Sequence, residues 1–171
     1  MTQPVRQIPV PFSVRGISSL SRIDYADAFV VTTAEAQGRT AEEWIRVMLE
    51  ESPPPVQKGL RSGWLSLGLK LGSAESAERV LGWEVRQSEP DLVRLGLDSR
   101  LGMPAELLLE RRSGSLLFCT FIRHGNSVLR QVWAAGIAKP HQRIVGRLLT
   151  RAVESPRAST LAEASTGVAN S

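Results

Sequence analysis

Few residues in this chain have side chains suited to chemistry. There is one cysteine, Cys119, one tyrosine, Tyr25, and two histidines, His124 and His141. A catalytic cysteine needs nearby positive charge to hold a thiolate. Cys119 instead has Leu117 and Phe121 two positions to either side, which predicts a buried, inert thiol. A lone cysteine allows neither an internal disulfide nor a CxxC zinc site. The two histidines fall on different predicted elements, so no shared metal site is expected, and the chain calls for no metal and no cofactor. His124, between Arg123 and Gly125, reads as an exposed turn residue. His141 falls in the first turn of a predicted helix, whose N-terminus opposes an imidazolium charge. There it is placed either to exchange a proton or simply to hold a neighbouring loop. The most distinctive string is Asp24-Tyr25-Ala26-Asp27. Alternation puts Tyr25, Asp27 and Phe29 on one strand face. If Phe29 points inward, so does Asp27, and a buried carboxylate needs a partner. Glu106 and Glu110 share a strand face as well, but Arg111 and Arg112 follow them and the set reads as a solvated face. No Gly-x-Ser-x-Gly elbow, P-loop or Rossmann fingerprint is present.

These residues must be positioned by a chain of 171 residues, 42% of them hydrophobic and 22% charged. That is about one domain at roughly 150 residues each, with enough apolar content to exclude a disordered or collagen-like chain. The formal net charge is +4, and 18 of the 21 cations are arginine. The charge is spread along the chain rather than interleaved with exposed aromatics, so nucleic acid is not the expected partner. The first twenty residues lack an apolar core between Arg6 and Arg15, which reads as neither a secretion signal nor a membrane anchor. The expected address is the cytoplasm, with no integral membrane segment.

Three zones are expected. Residues 1–18, with Pro4, Pro9 and Pro11, read as an extended lead-in; 19–154 as a single domain; 155–171, rich in Ser, Ala and Thr, as a disordered tail. The domain opens with a predicted strand over 25–33. Thr40 and Glu43 form a capping-box pair at the start of a helix that places Trp44, Val47 and Met48 on one face. Pro53-Pro54-Pro55 ends that helix and starts a second over 56–71, with Leu60, Trp64, Leu67 and Leu71 as its stripe and glycines at 59, 63 and 68. From Val80 the period changes to two. Strands are predicted around 81–85, 93–97 and 105–109, separated by turn signals, then an apolar strand over 116–122 and a further one over 127–134. Connections this short imply antiparallel neighbours. Pro140 starts the clearest helix, which runs to about Val153, with Ile144, Val145, Leu148, Leu149 and Ala152 on its apolar side and Lys139, Arg143, Arg147 and Arg151 on a solvated side.

The expected fold is α+β, in the order β-α-α-β5-α: a curved antiparallel sheet of about six strands wrapped around a long C-terminal helix, with a cavity between them. Three stretches sharpen this: Asp24-Tyr25-Ala26-Asp27-Ala28-Phe29, the strand ending Phe121-Ile122-Arg123, and Pro140-His141-Gln142-Arg143-Ile144-Val145. Over about residues 19–152 the chain resembles bacterial proteins of the domain of unknown function 2867 family, within the START and polyketide-cyclase-like helix-grip superfamily. The resemblance implies the helix-grip fold and, by superfamily analogy, binding of apolar small molecules; analogy of fold alone does not establish function.

The primary reading is a carrier or sensor of a lipid- or polyketide-like molecule, without catalysis. Leu60, Trp64, Leu67, Trp83, Leu107, Phe118 and Leu148 are its expected cavity walls, with Tyr25, Asp27, Arg123 and His141 at the ligand's polar end. Two alternatives stand beside it: an enzyme of the cyclase or dehydratase kind with Asp27 or His141 as acid or base, and a domain whose cavity is filled, which would associate as a homodimer through its strand edges.

Overall fold

The computed structural model describes residues 4–155. Seven strands form one antiparallel sheet: β1 (Arg6–Ile8), β2 (Tyr25–Thr32), β3 (Arg79–Val80), β4 (Trp83–Glu89), β5 (Leu92–Leu97), β6 (Ala105–Arg112) and β7 (Ser115–Ile122). Their spatial order is β1-β2-β7-β6-β5-β4-β3. The strands from β3 to β7 are a meander, as period-two patterning with short connections dictates. Gly114, at φ 76°, makes the tight β6–β7 turn that residues with a Cβ enter at a cost. Strand β2 closes the arrangement by pairing along β7, with Asp27 opposite Thr120 and Phe29 opposite Phe118. A bulge in β4 between Val85 and Gln87 adds to the curvature of the sheet.

Five helices, α1 (Phe12–Arg15), α2 (Ala41–Glu50), α3 (Pro54–Ser66), α4 (Ser127–Val132) and α5 (Ala138–Glu154), complete the domain, with a short 3-10 turn at Ala34–Gly38. The capping box at α2 is formed: the Thr40 hydroxyl accepts from the Glu43 amide, and the Glu43 carboxylate accepts from the Thr40 amide. Its Trp44, Ile45, Met48 and Leu49 are buried against the sheet. Helix α5 crosses over β2 and packs on α2. The architecture is α+β of helix-grip type, with one strand more than expected from the sequence.

Besides α3, which ends at Ser66 rather than Leu71 with Gly68 at φ 75° just beyond it, two elements differ from the sequence expectation. The segment 127–134 is helix, not strand. Strand β7 already has β2 on one side and β6 on the other, so a strand following it would find no free edge. Asn126 meanwhile caps the helix by accepting from the Leu129 amide at 2.9 Å. The apolar side chains of Val128 and Val132 face solvent. A π-helical turn, Trp133–Ile137, joins α4 to α5, giving one helical element of 28 residues. Pro140 therefore lies inside the helix rather than at its start.

The second difference is the N-terminal lead-in. Residues 6–8 pair with β2 as the edge strand, Arg6 opposite Val30 and Ile8 opposite Ala28. Beyond them Val14 is buried, and Ile17, Leu20 and Ile23 pack with it onto Ala28, Leu108, Leu117, Cys119 and Phe121. This covers the outer face of the sheet and explains why β7 is apolar on both faces. The C-terminal tail lies, after Ser155, outside the described residues. Among the described residues, no helix is long and apolar enough to cross a membrane.

The same cover buries Glu106, which is 0% exposed rather than solvated. Its carboxylate accepts from Arg94 at 2.7 Å, from the Ser18 hydroxyl at 2.6 Å and from both the hydroxyl and the amide of Ser19. Removing one member of a buried pair strands the other. Glu106→Gln is expected to lower the unfolding free energy by about 3 kcal/mol in urea titrations. Glu110→Gln, at the half-exposed pair with Arg112, is expected to change it by under about 1 kcal/mol. Equal effects at the two positions would contradict this account of the outer face.

Candidate functional site

Alternation along β2 places Tyr25, Asp27 and Phe29 on the inner face of the sheet, as the spacing predicts. Register then sets Thr120 of β7 directly beside Asp27, and Leu107 of β6 beside Thr120. Helix α5 passes above this row. His141 Nε2 lies 3.2 Å from Asp27 Oδ2 and 3.2 Å from Thr120 Oγ1. The Tyr25 hydroxyl donates to Asp27 Oδ2 at 2.5 Å and accepts from Gln142 Nε2 at 3.2 Å. The Trp133 ring closes the group, 4.9 Å from the Tyr25 ring edge-on and 5.5 Å from the imidazole. Asp27 has 1% of its side chain exposed, and its Oδ1 is buried with no hydrogen-bond partner. Burial, followed by the Asp27 carboxylate, pushes the Tyr25 phenol above its ordinary pKa, so it stays a donor.

Beside this cluster lies a cavity of about 460 Å³. Helix α3, strands β4, β6 and β7, the π turn and the start of α5 line it, and it opens to solvent along α3 and α5, where Val56 and Ile144 are exposed. That volume is within the range of small-molecule sites and matches roughly fifteen water volumes at about 30 Å³ each. Its walls are apolar except at His141, Thr120 and Ser66. The space exists because α3 stands off the sheet: no residue of α3 is fully buried. Gln57 ties α3 to the backbone oxygens of Glu50 and Ser52, and Arg61 ties it to that of Leu81. Along the same helix Gly59 and Gly63 line the cavity, and a methyl group added at either would meet nothing within 4 Å.

Of the residues expected at the site, Leu60, Trp64, Leu67, Trp83, Leu107 and His141 line the cavity. Tyr25 and Asp27 stand behind His141 and meet the cavity through it. Three do not reach it. Phe118 is on the inner face but one pleat further along β7, wedged between Phe29 and Leu109 on the flanking strands. Leu148 lies about two turns beyond His141, where α5 presses into the core. Arg123 has left the inner face and donates to the Ser21 hydroxyl at 3.0 Å. Thr120, Gln142 and Trp133 are not among the residues expected at the site from the sequence. Thr120 had a signal: it is the polar position in β7 between Phe118 and Ile122, both inward-facing.

His124 is a further correction. It is 2% exposed, and neither ring nitrogen has a partner. Burial, more than the nearby charges, depresses its pKa and favours the neutral ring. The turn that was expected to expose it is folded over by Asp24, whose carboxylate accepts from Arg22 at 2.8 Å, from the His124 amide at 2.8 Å and from Arg130 of α4 at 3.2 Å. Cys119 is buried on the outer face, where burial and the nearby Asp27 charge push its thiol up to about 12. Among the described residues no three His, Cys, Asp or Glu side chains come together as a metal set.

The chain matches no known family model, no curated protein and no solved structure. The site is read from its own geometry.

Arg22 chiefly holds the Asp24 carboxyl down at about 2, below its ordinary 3.8. A depressed carboxyl stabilises the fold above its unfolded value and loses that contribution as pH falls through the folded one. Asp24→Asn is therefore expected to melt a few degrees below the native protein at neutral pH, with the gap closing between about pH 4 and pH 2. Melting curves across that window test it; a gap that stays constant would contradict the assignment.

Proposed function

We propose that this protein holds a small, largely apolar molecule in the cavity between the sheet, α3 and α5, as a carrier or sensor, in the manner of the START-like superfamily it resembles. The observation that carries this reading is a cavity with apolar walls and one polar end, where His141 and Thr120 stand together. Two glycines in the interior of α3 keep this wall of the cavity free of side chains, at roughly 1 kcal/mol each against alanine in an exposed helix. Aliphatic and indole walls supply affinity by burial at about 25 cal/mol per Å², and the polar end supplies orientation. We place the protein in the cytoplasm, in keeping with its single, reduced and buried thiol. The homodimer expected through strand edges is not part of the proposal.

Trp64, Trp83 and Trp133 line the cavity, so tryptophan emission reports its occupancy. Titration with the neutral apolar dye N-phenylnaphthylamine is expected to quench that emission saturably. Gly63→Phe projects a ring into the open space and is expected to weaken dye binding at least about tenfold, with the melting temperature held or raised because phenylalanine is the better helix former. Trp64→Ala is expected to weaken binding more than it destabilises the fold. Undiminished binding by Gly63→Phe would place the dye elsewhere and sink the reading.

A further inference from the structure

The polar end of the cavity is built for more than retention. An apolar ligand needs burial, which aliphatic residues at positions 27, 120 and 141 would serve. The chain instead carries a carboxylate, a hydroxyl and an imidazole there, in mutual contact, inside an apolar wall. We infer that His141, oriented by Asp27, is a general acid–base catalyst for proton transfer on a neutral carbonyl compound held in the cavity, an inference that rests on the cavity being a ligand site.

The geometry assigns the roles. Both contacts of the imidazole, to Asp27 Oδ2 and to Thr120 Oγ1, use Nε2. A carboxylate accepts only, so Nε2 carries the proton toward Asp27 and Nδ1 keeps its lone pair for a bound molecule. Asp27 is in turn held by the Tyr25 hydroxyl alone, and its second oxygen is buried without a hydrogen bond. Little besides Tyr25 screens its charge from the ring. Beside the imidazole the Thr120 hydroxyl lines the cavity; with Nε2 as the donor in its contact, the Thr120 O–H is left to donate to an oxygen that gains negative charge during reaction. Trp133, packed on the imidazole, opens the π-helical turn, and such turns recur at functional sites.

The step these groups support is enolisation. Nδ1 takes a proton from the carbon next to the carbonyl. The C–H electron pair becomes the carbon–carbon double bond of the enolate, and the carbonyl π pair moves onto oxygen, where the Thr120 hydroxyl donates to it. The imidazolium so formed faces Asp27, and Nδ1 then returns the proton to the same carbon or to a conjugated one. Return to the same carbon is exchange; return to the conjugated carbon is isomerisation. Nothing is oxidised or reduced and no co-reactant is consumed. His141 is the catalytic residue in this scheme, and Asp27 is a positioning residue.

The probe is β-tetralone, an apolar enolisable ketone, incubated with the full-length protein in D2O. Loss of its α-proton signal by NMR reads proton transfer directly, and line broadening reads binding. The native protein is expected to exchange the α-proton saturably and faster than free imidazole at equal concentration. His141→Gln, which keeps an amide N–H for Asp27, is expected to lose roughly a hundredfold in kcat with KM unchanged. Asp27→Asn is expected to lower kcat about tenfold with KM and melting temperature near native, a split that a merely structural residue would not give. Binding of the ketone with exchange equal in native protein and His141→Gln overturns proton transfer and leaves the ligand reading standing. Absence of binding removes the inference, while the dye titration still decides whether the cavity takes a ligand.

Discussion

Asp27 sits between Tyr25 and Phe29 on the inner face of β2, and with 1% of its side chain exposed it needs hydrogen bonds from within the protein. Strand β2 is paired with β7 along its whole length, Asp27 opposite Thr120, and this register holds the carboxylate on the inner face under α5. Its donors must come to it. Tyr25 arrives from the same strand two residues away, and His141 arrives from α5. That requirement sets the rotation of α5 about its axis: His141 has to face the sheet, and Gln142 then falls against the Tyr25 hydroxyl. With that rotation set, Val145, Leu148, Leu149, Ala152 and Val153 enter the core, and the arginines at 143, 147 and 151 are left in solvent.

The cavity follows from a difference between the two ends of the same layer. Where α2 and α5 meet the sheet, Trp44, Met48, Leu95, Leu109 and Phe118 are all buried, and the packing is continuous. Where α3 meets it, only partly buried side chains descend, Leu60, Trp64 and Leu67 among them, with glycine between them. The Trp64 ring stands edge-on to Trp83 at 5.4 Å, which props α3 away from β4 at a ring's thickness. A helix held at its N-terminal half by Gln57 and Arg61 and spaced by an indole pair leaves room beneath it.

Much of this was legible because the signals were local. Alternation in β2, β5 and β6, the capping box at Thr40 and the proline stop at 53–55 each report the backbone's own preference within a few residues. Tyr25–Asp27 and His141 were also singled out locally, one as an alternating polar pair on an apolar strand and one as a histidine on a helix. Their meeting was not legible, since it depends on how α5 crosses β2. The failures share that cause. Glu106 and His124 look solvated until the N-terminal segment and Asp24 fold over them. Residues 127–134 follow a run of strands and carry Val128, Val132 and Trp133, but their apolar residues at 128, 129, 132 and 133 have helical spacing, and both edges of β7 are occupied. The lead-in offered no periodic run of its own, because its apolar residues from Ile8 to Ile23 match the contour of the outer sheet face rather than a helix or strand period.

The π turn shows how a residue without functional groups can set the chemistry of the site. Trp133 and His141 are eight positions apart, which in an uninterrupted α-helix at 3.6 residues per turn would leave them about 80° apart around the axis. Pro140 has no amide proton and its ring crowds the carbonyl four residues back, at Gly136, inside the π turn. The chain answers with a wider loop, in which the Ala138 amide bonds back to the Trp133 carbonyl, five residues away. One extra residue is absorbed, and the effective separation becomes seven, within about 20° of two full turns. Trp133 and His141 then share a face, their rings 5.5 Å apart, and both look onto the cavity beside Tyr25. A straight helix would satisfy Asp27 with His141 or place Trp133 over Tyr25, but not both.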